Sequence, residues 1–274
     1  MLRITRYGEV TRFDLARTLA GRGRYWTAAH LVDGLLVDSG CAHSARELTH
    51  ALADTRLQSI VNTHSHEDHI GANARLQRQH DGLRILAHPL ALPVLANPRG
   101  AQPLQLYRRV LWGWPEPSKG DLVSDGAVIE TEHHRFRVIH TAGHGSDHIC
   151  LYEPRRKWLF SGDLFVGGRD RALRADFDIW QIIASLKRIS RLEITRLFPG
   201  SARVRGNPAE ELSAKIAYLE RLGERVQELH RDGRRVGAIA RALCGRPMAI
   251  EFITWGHFSR RRLVSSYLAG TRDG

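Results

Sequence analysis

The strongest chemical signal in this sequence is the run Thr63-His64-Ser65-His66-Glu67-Asp68-His69. Three imidazoles and the Asp68 carboxylate lie within six residues, and zinc prefers both kinds of ligand in catalytic sites. His64 and His66 are two residues apart, so in an extended segment they share one face. Asp68 and His69 then turn toward a neighbouring position. This density of ligands favours a metal site over a loop of solvated histidines.

Two later segments place further ligand-type residues just past predicted strands. The run His140-Thr141-Ala142-Gly143-His144 follows one strand, and Ser161-Gly162-Asp163 follows another. Glycine has no Cβ and lets the backbone come close to an ion. Both segments are therefore candidates for the same metal site.

The elements that must position these residues are short strands, then helices. Apolar runs bounded by turn residues predict strands, and apolar spacing of three and four residues predicts helices. The predicted strands are 35–39, 59–63, 84–87, 128–130, 136–139, 149–152, 158–160 and 196–198, and the predicted helices among them are 45–53, 71–79 and 178–189. After Pro208 the pattern is helical only, over about 209–231, 236–243 and 258–268. Strands mixed with helices, then helices alone, predict an α+β domain over 1–207 and a C-terminal helical region over 208–274.

The pattern His-x-His-x-Asp-His, then Gly-His and Gly-Asp, resembles the metallo-β-lactamase superfamily. The early turn Val37-Asp38-Ser39-Gly40 agrees, and the stretch 140–152, HTAGHGSDHICLY, is similar to glyoxalase II and related thioesterases. The resemblance covers about 25–205. It implies a four-layer αββα sandwich, followed here by the C-terminal helical appendage, with metals in a cleft at one edge of the two sheets.

The resemblance also implies the roles of individual residues. By position, the ligands of a first metal are His64, His66 and His144; a second metal would take Asp68, His69 and the bridging Asp163. The ions would be zinc, one or two of them, with iron or manganese as alternatives. A metal-bound hydroxide would attack the substrate, with Asp68 as the catalytic residue that orients it. An aspartate at 163, rather than a cysteine, is typical of the hydrolase branches more than of the main antibiotic-degrading branch.

One ligand of the family pattern is replaced. The family closes the second site with a histidine in a Pro-Gly-His turn, whereas this chain has Ser201 there, and a hydroxyl is a poorer ligand. His257 could complete the site or simply pack at a helix start. His148 and Asp38 are candidates for partners that fix the orientation of the ligands.

Four residues outside the metal motifs are candidate substrate contacts. Trp112 and Trp114 lie in an aromatic loop that could cover an apolar group or pack onto the core. Arg169 and Arg171 follow Asp163 and could face an anionic substrate or line a solvated turn.

Composition limits the function classes. The chain of 274 residues has a net charge of +12, but its arginines are spread along its length, so nucleic acid is possible and not favoured. No apolar run approaches the ~20 residues of a membrane span, and three distant cysteines argue against disulfides. A cytoplasmic protein that acts on a small molecule is expected. The leading hypothesis is a metal-dependent hydrolase of esters or thioesters. The alternatives are a phosphodiesterase or ribonuclease similar to β-lactamase-like protein 2, and a non-catalytic metal-binding sensor.

Overall fold

The computed structural model of the protein describes residues 1–19, 21–103 and 105–270. Most of the predicted metal ligands lie in loops that follow strands of two sheets. The chain divides into two units. The first comprises Met1–His140, Ser146–Val166 and Glu193–Asn207, and the second comprises Thr141–Gly145, Gly167–Leu192 and Pro208–Gly274. The second unit thus combines the predicted C-terminal region with two earlier segments. The boundary at residue 207 between a catalytic domain and a separate helical region stays a prediction.

The strands and helices follow in chain order. The strands are β1 (Leu2–Tyr7), β2 (Val10–Leu19), β3 (Arg22–Val32), β4 (Leu35–Val37), β5 (Ser59–Val61), β6 (Arg84–Ala87), β7 (Asp121–Leu122), β8 (Val128–Glu130), β9 (Arg135–His140), β10 (Ile149–Glu153), β11 (Trp158–Gly162), β12 (Leu173–Arg174), β13 (Arg196–Pro199), β14 (Arg205–Gly206) and β15 (Phe258–Ser259). The α-helices are α1 (Ala45–Ala51), α2 (Asn73–Gln79), α3 (Leu92–Ala96), α4 (Pro98–Ala101), α5 (Leu106–Leu111), α6 (Ile179–Ser190), α7 (Ala209–Arg231), α8 (Val236–Cys244), α9 (Ala249–Ile253) and α10 (Arg260–Ala269).

The first unit is built on two sheets that pack face to face. One has the order β1-β2-β3-β4-β5-β6-β7 and the other β14-β13-β11-β10-β9-β8. Val61 of the first sheet and Phe160 of the second belong to one buried apolar cluster. Successive residues of a strand point to opposite faces, and Ile60 accordingly joins a second cluster with Leu48 of α1 and Leu76 of α2. The predicted α+β sandwich is therefore what this unit forms.

Parallel pairing brings the predicted ligands to one edge of each sheet. Strands β4 and β5 are parallel, so the turn that begins at Asp38 and the loop 62–69 leave the sheet at the same end. Strands β11 and β13 are also parallel, and Asp163 and Ser201 follow them. Each ligand segment thus begins where a buried strand stops.

The second unit is mainly helical. Its helix α6 begins at Ile179 because the Asp178 side chain accepts hydrogen bonds from the backbone N–H groups of Trp180 and Gln181, at 2.9 and 3.1 Å. Helix α10 packs on this unit through Tyr267, which is buried and donates its hydroxyl to the Leu219 carbonyl of α7 at 2.7 Å. Among the described residues, no helix has the length and apolar character needed to cross a membrane.

Candidate metal centre

Three electron-pair donors of the first unit converge on one point. His64, His69 and Asp163 each offer a ligand atom, and these atoms all lie within 4.8 Å of one another. Both histidines are fully buried, and only 12% of the Asp163 side chain is exposed. Such a set of two imidazoles and a carboxylate in a sheltered position is suited to a zinc-like ion.

His66 and Asp68 extend this donor set. The His66 ring lies 4.3 Å from the His64 ring, centroid to centroid. An Asp68 carboxylate oxygen lies 3.8 Å from Nε2 of His69, whose other carboxylate neighbour, Asp163, is 3.5 Å away. The structure therefore brings together five of the six predicted ligands within one unit.

Asp38 fixes the orientation of His69. Its carboxylate accepts hydrogen bonds from the Thr63 backbone N–H at 2.7 Å and from the Thr63 hydroxyl at 2.8 Å. The same carboxylate lies 2.8 Å from Nδ1 of His69. A hydrogen bond at Nδ1 leaves Nε2 directed at Asp68 and Asp163, which is the arrangement that a metal-binding histidine needs. Asp38 has a positive φ of 60°, a strained conformation that its three contacts hold in place.

The carboxylates of the site favour the binding of a cation. Burial, together with the negative charges of Glu67 and Asp163, raises the pKa of Asp68 to about 6, although His69 opposes the shift. Burial alone would lower the pKa of His69, but the carboxylates of Asp38, Asp163 and Asp68 raise it well above its ordinary value. Carboxylates that crowd a buried histidine in this way are stabilised by a bound positive ion. The donor set fits a divalent metal.

Two glycines let the chain approach these ligands. A Cβ on Gly162 would lie 2.6 Å from Nε2 of His148, and a Cβ on Gly200 would lie 2.7 Å from both Asp163 Oδ1 and His69 Cε1. Either contact is too close for a side chain. The turn that contains Ser201 therefore packs directly against two predicted ligands. Whether Ser201 itself stands where relatives use histidine stays a prediction.

His148 and Asp147 tie the strand β10 to the ligand loops. His148 is buried, and its Nε2 accepts the backbone N–H of Asp163 at 3.3 Å. Asp147, for which the sequence predicts no individual role, accepts the Ser65 backbone N–H at 2.8 Å. Its place beside His148 in the motif was the only sequence signal for it.

Helix α5, which precedes β7, is anchored to the loop 62–69. We call this loop the metal loop, because it contains four of the predicted ligands. The guanidinium of Arg108 donates to the Glu67 carboxylate, with Nε 2.6 Å from Oε1, and both side chains are buried. Trp112 packs edge-on against Tyr25 and Tyr107, with centroids 6.2 Å apart in each case. These contacts favour the core-packing interpretation of Trp112, and its role in substrate binding stays a prediction.

Four candidate residues belong to the second unit. His144 lies in the loop Thr141–Gly145, whose Gly143 carbonyl accepts the Asp178 N–H at 2.9 Å. His257 follows α9. Arg171 donates to the Cys244 carbonyl at 2.7 Å, and Arg169 lies over the Tyr218 ring at 5.6 Å. The predicted ligand roles of His144 and His257 and the substrate roles of both arginines remain predictions.

Comparisons with known proteins agree on one family. The model of the metallo-beta-lactamase superfamily matches residues 29–201. An atrochrysone carboxyl ACP thioesterase of Aspergillus fumigatus is 28% identical over 211 residues, which are 74% of this chain and 59% of that protein. The chain spans between 49% and 61% of the lengths of three curated relatives that it matches.

Solved structures show the same fold. A metallo-beta-lactamase family protein of Thermus thermophilus superposes with a TM-score of 0.65 at 19% identity, over 95% of this chain and 91% of that one. TTHA1623, solved in a di-iron-bound form, has a TM-score of 0.55 and 30% identity, over 69% and 94% of the two chains. The predicted fold class, an α+β sandwich with C-terminal helices, is confirmed.

Proposed function

The chain belongs to the metallo-β-lactamase superfamily, and from that premise we propose that it is a metal-dependent hydrolase of acyl thioesters. The observation that carries the proposal is the convergence of His64, His69 and Asp163 beside Asp68. The similarity to a thioesterase supports thioesters as the substrate class. We include a cytoplasmic location in the proposal, because all three cysteines are buried and none of them forms a disulfide.

The ligand roles implied by the resemblance are part of this proposal. His64, His66 and His144 would hold a first ion, while Asp68, His69 and Asp163 would hold or bridge a second. The ion would be zinc or iron, and the di-iron form of TTHA1623 supports the latter choice. When bound, a divalent ion lowers the pKa of water to about 7, far below its value in bulk solvent.

The protein's own residues position the reaction. Water adds to the acyl carbon, the carbon–sulfur bond breaks, and the products are a carboxylic acid and a thiol. Asp68 would accept a hydrogen bond from the attacking water and orient it toward that carbon. Asp38 would keep the His69 ring from rotating during turnover, because its contact with Nδ1 fixes the ring.

A substrate panel tests the proposal. We expect the purified protein to contain a transition metal and to hydrolyse acyl thioesters, to lose that activity with a chelator, and to regain it when metal is restored. The panel compares thioesters with oxygen esters, lactones and bis(p-nitrophenyl) phosphate. Preferred cleavage of the phosphodiester would contradict the proposal, and so would a metal-loaded protein that turns over nothing in the panel.

Replacing Ser201 with histidine should strengthen the second site. An imidazole is a better ligand than a serine hydroxyl, so Ser201→His should retain more metal per chain when metal is limiting. Metal content measured by elemental mass spectrometry after dialysis checks this. Ala202→His, one residue further along the same turn, is the control. If the wild type and Ser201→His hold equal metal, the inferred loss of a ligand at Ser201 is wrong.

A further inference from the structure

A basic groove lies on the first unit beside helix α5. We call it the arginine groove and define it by its main lining residues, Arg17, Arg99, Leu106, Arg109, Val110 and Trp114. Two cavities form it, of 490 and 370 Å³, and they share Arg99, Leu106, Arg109 and Trp114. Ligand pockets have volumes of about 300–1,000 Å³, so the groove has the size of a small-molecule site.

The groove combines uncompensated positive charge with apolar surface. Among the residues that the structure describes, no lining residue of the groove is acidic, and no ion pair includes Arg17, Arg99 or Arg109. Leu106 is 57% exposed and Val110 is 43% exposed, so the groove presents apolar surface beside its arginines. The planar guanidinium fork matches phosphate oxygens in a way that lysine does not. These features suit a ligand with a phosphate and an apolar portion.

Helix α5 connects this groove to the metal loop through its opposite faces. Leu106, Arg109 and Val110 are spaced by three and four residues, so they share the face that lines the groove. Arg108 lies on the buried side and holds Glu67, the residue before Asp68. Gln102 donates to the Ser65 carbonyl at 2.6 Å. The groove and the loop of predicted ligands are therefore held in a fixed relation within one unit.

The walls of the groove are also tied to each other. The Arg17 guanidinium on β2 donates to the Val110 carbonyl. The His43 backbone N–H donates to the Trp112 carbonyl at 3.3 Å, and His43 Nε2 lies 3.2 Å from the Arg109 carbonyl. These bonds use backbone atoms of α5 and the residue after it. They leave the side chains of Arg99 and Arg109 exposed and available to a ligand.

We propose that the arginine groove binds the phosphate-bearing thiol portion of an acyl thioester. Coenzyme A and the phosphopantetheine arm of a carrier protein share this chemistry. The phosphate would contact Arg99 and Arg109, and the less polar arm would lie along Leu106 and Val110 toward the metal loop. This inference rests on the proposed function, since it names the substrate of the same centre.

Binding to metal-free protein tests the groove without any catalysis. Coenzyme A is titrated calorimetrically into the wild type, the double variant Arg99→Ala/Arg109→Ala, and the control Arg56→Ala. Arg56 is an exposed arginine before β5, at the opposite end of that strand from the metal loop. We expect saturable binding to the wild type and the control, and at least ~10-fold weaker binding to the double variant, since hydrogen bonds to charged groups contribute strongly. No binding to the wild type, or equal binding to all three proteins, would overturn the proposal.

Kinetics with matched thioesters separate the groove from the chemical step. The same acyl group is offered on coenzyme A and on N-acetylcysteamine, a neutral thiol without phosphate. The double variant should show a KM for the coenzyme A thioester raised at least ~10-fold, with kcat unchanged and both constants for the neutral thioester unchanged. Equal losses with both substrates would show that the arginines do not recognise the phosphate-bearing portion.

Competition against coenzyme A binding identifies the source of the ligand. Competition by both phosphopantetheine and 3′,5′-ADP indicates coenzyme A, and competition by phosphopantetheine alone indicates a carrier-protein arm. Competition by neither, or by 3′,5′-ADP alone, would refute the proposal. The proposed function and the proposed ligand of the groove can be refuted by different outcomes. A protein that binds coenzyme A in the groove but cleaves no thioester refutes the proposed function, and one that cleaves thioesters equally well in the double variant refutes only the groove.

Discussion

Replacing Asp68 with alanine should lower turnover of the thioester by at least ~100-fold while the protein stays folded. Groups that position or transfer a proton in the transition state contribute factors of about 10²–10⁴, and Asp68 is proposed to orient the attacking water as well as to bind metal. The variant keeps His64 and His69 in place, so it should still bind about one ion. Activity, metal content and thermal unfolding are measured on one preparation.

The control for this variant is Asp54→Ala, which removes an exposed carboxylate from the turn after α1. It should match the wild type in all three measurements. An Asp68→Ala protein that is folded, metal-loaded and fully active would refute the proposed role. A protein that is unfolded would instead show that the carboxylate supports the fold, contrary to the expectation that its contacts serve the site.

Asp68 is suited to this test because its surroundings differ from those of Asp38. The Asp68 carboxylate lies at the rim of the site, with 14% of its side chain exposed. Asp38 is 2% exposed, and its carboxylate contacts both the backbone and the hydroxyl of Thr63 in addition to His69. Removing Asp38 would leave buried donors without acceptors, which costs stability. A loss of activity at Asp38 would therefore not distinguish catalysis from folding.

The elements predicted most accurately are those with strong periodicity and clear ends. Strands β6 and β8 and helix α7 have the predicted bounds. Helix α7 follows Pro208, and its apolar residues recur at helical spacing on one side, so both ends are marked. The helix predicted over 178–189 is shifted by one residue, because Asp178 caps it from outside.

The elements that were not predicted lack strong periodicity and clearly marked ends. No strand is predicted before residue 35, yet β1, β2 and β3 form a long antiparallel meander. Four of the six residues of β1 are exposed, so alternation of apolar and polar side chains is weak there. Strand β1 is specified mainly by its pairing with β2, whereas β2 and β3 bury residues such as Leu15 and Ala29 without a regular alternation of apolar and polar side chains. The short helices α3, α4 and α5 carry a comparable ambiguity, with prolines and a glycine close to their ends.

The candidate site likewise has features that could be predicted from the sequence and features that could not. The grouping of the proposed ligands could be predicted because a dense motif after a strand points to metal chemistry, while their ligand roles stay a prediction. The supporting contacts of the site could not be predicted, because they join residues that are distant in the chain. Glu67 meets Arg108 across 41 residues, and Asp147 meets Ser65 across 82. The position of Glu67 inside the motif was a usable signal, since a buried carboxylate beside predicted ligands must find a cationic partner.

Replacing Arg108 with alanine should destabilise the first unit by about 3–5 kcal/mol, the usual effect of removing one partner of a buried ion pair. Arg108 is 1% exposed, and its guanidinium also donates to Gln102 Oε1 at 2.7 Å. Its loss would leave the Glu67 carboxylate buried beside Asp68 with no cation. Thermal unfolding should shift down by about 10 °C, and metal content should fall because the ligand loop loses its anchor.

Arg109→Ala is the matched control, since it removes the next arginine of the same helix from an exposed position. It should leave the unfolding temperature unchanged within about 2 °C. The double variant Glu67→Met/Arg108→Met should recover most of the loss, because paired replacement by apolar residues of similar volume is close to neutral. Equal stability of Arg108→Ala and Arg109→Ala would show that the ion pair does not anchor the loop. If the double variant is no more stable than Arg108→Ala, the damage comes from lost packing and not from the unpaired carboxylate.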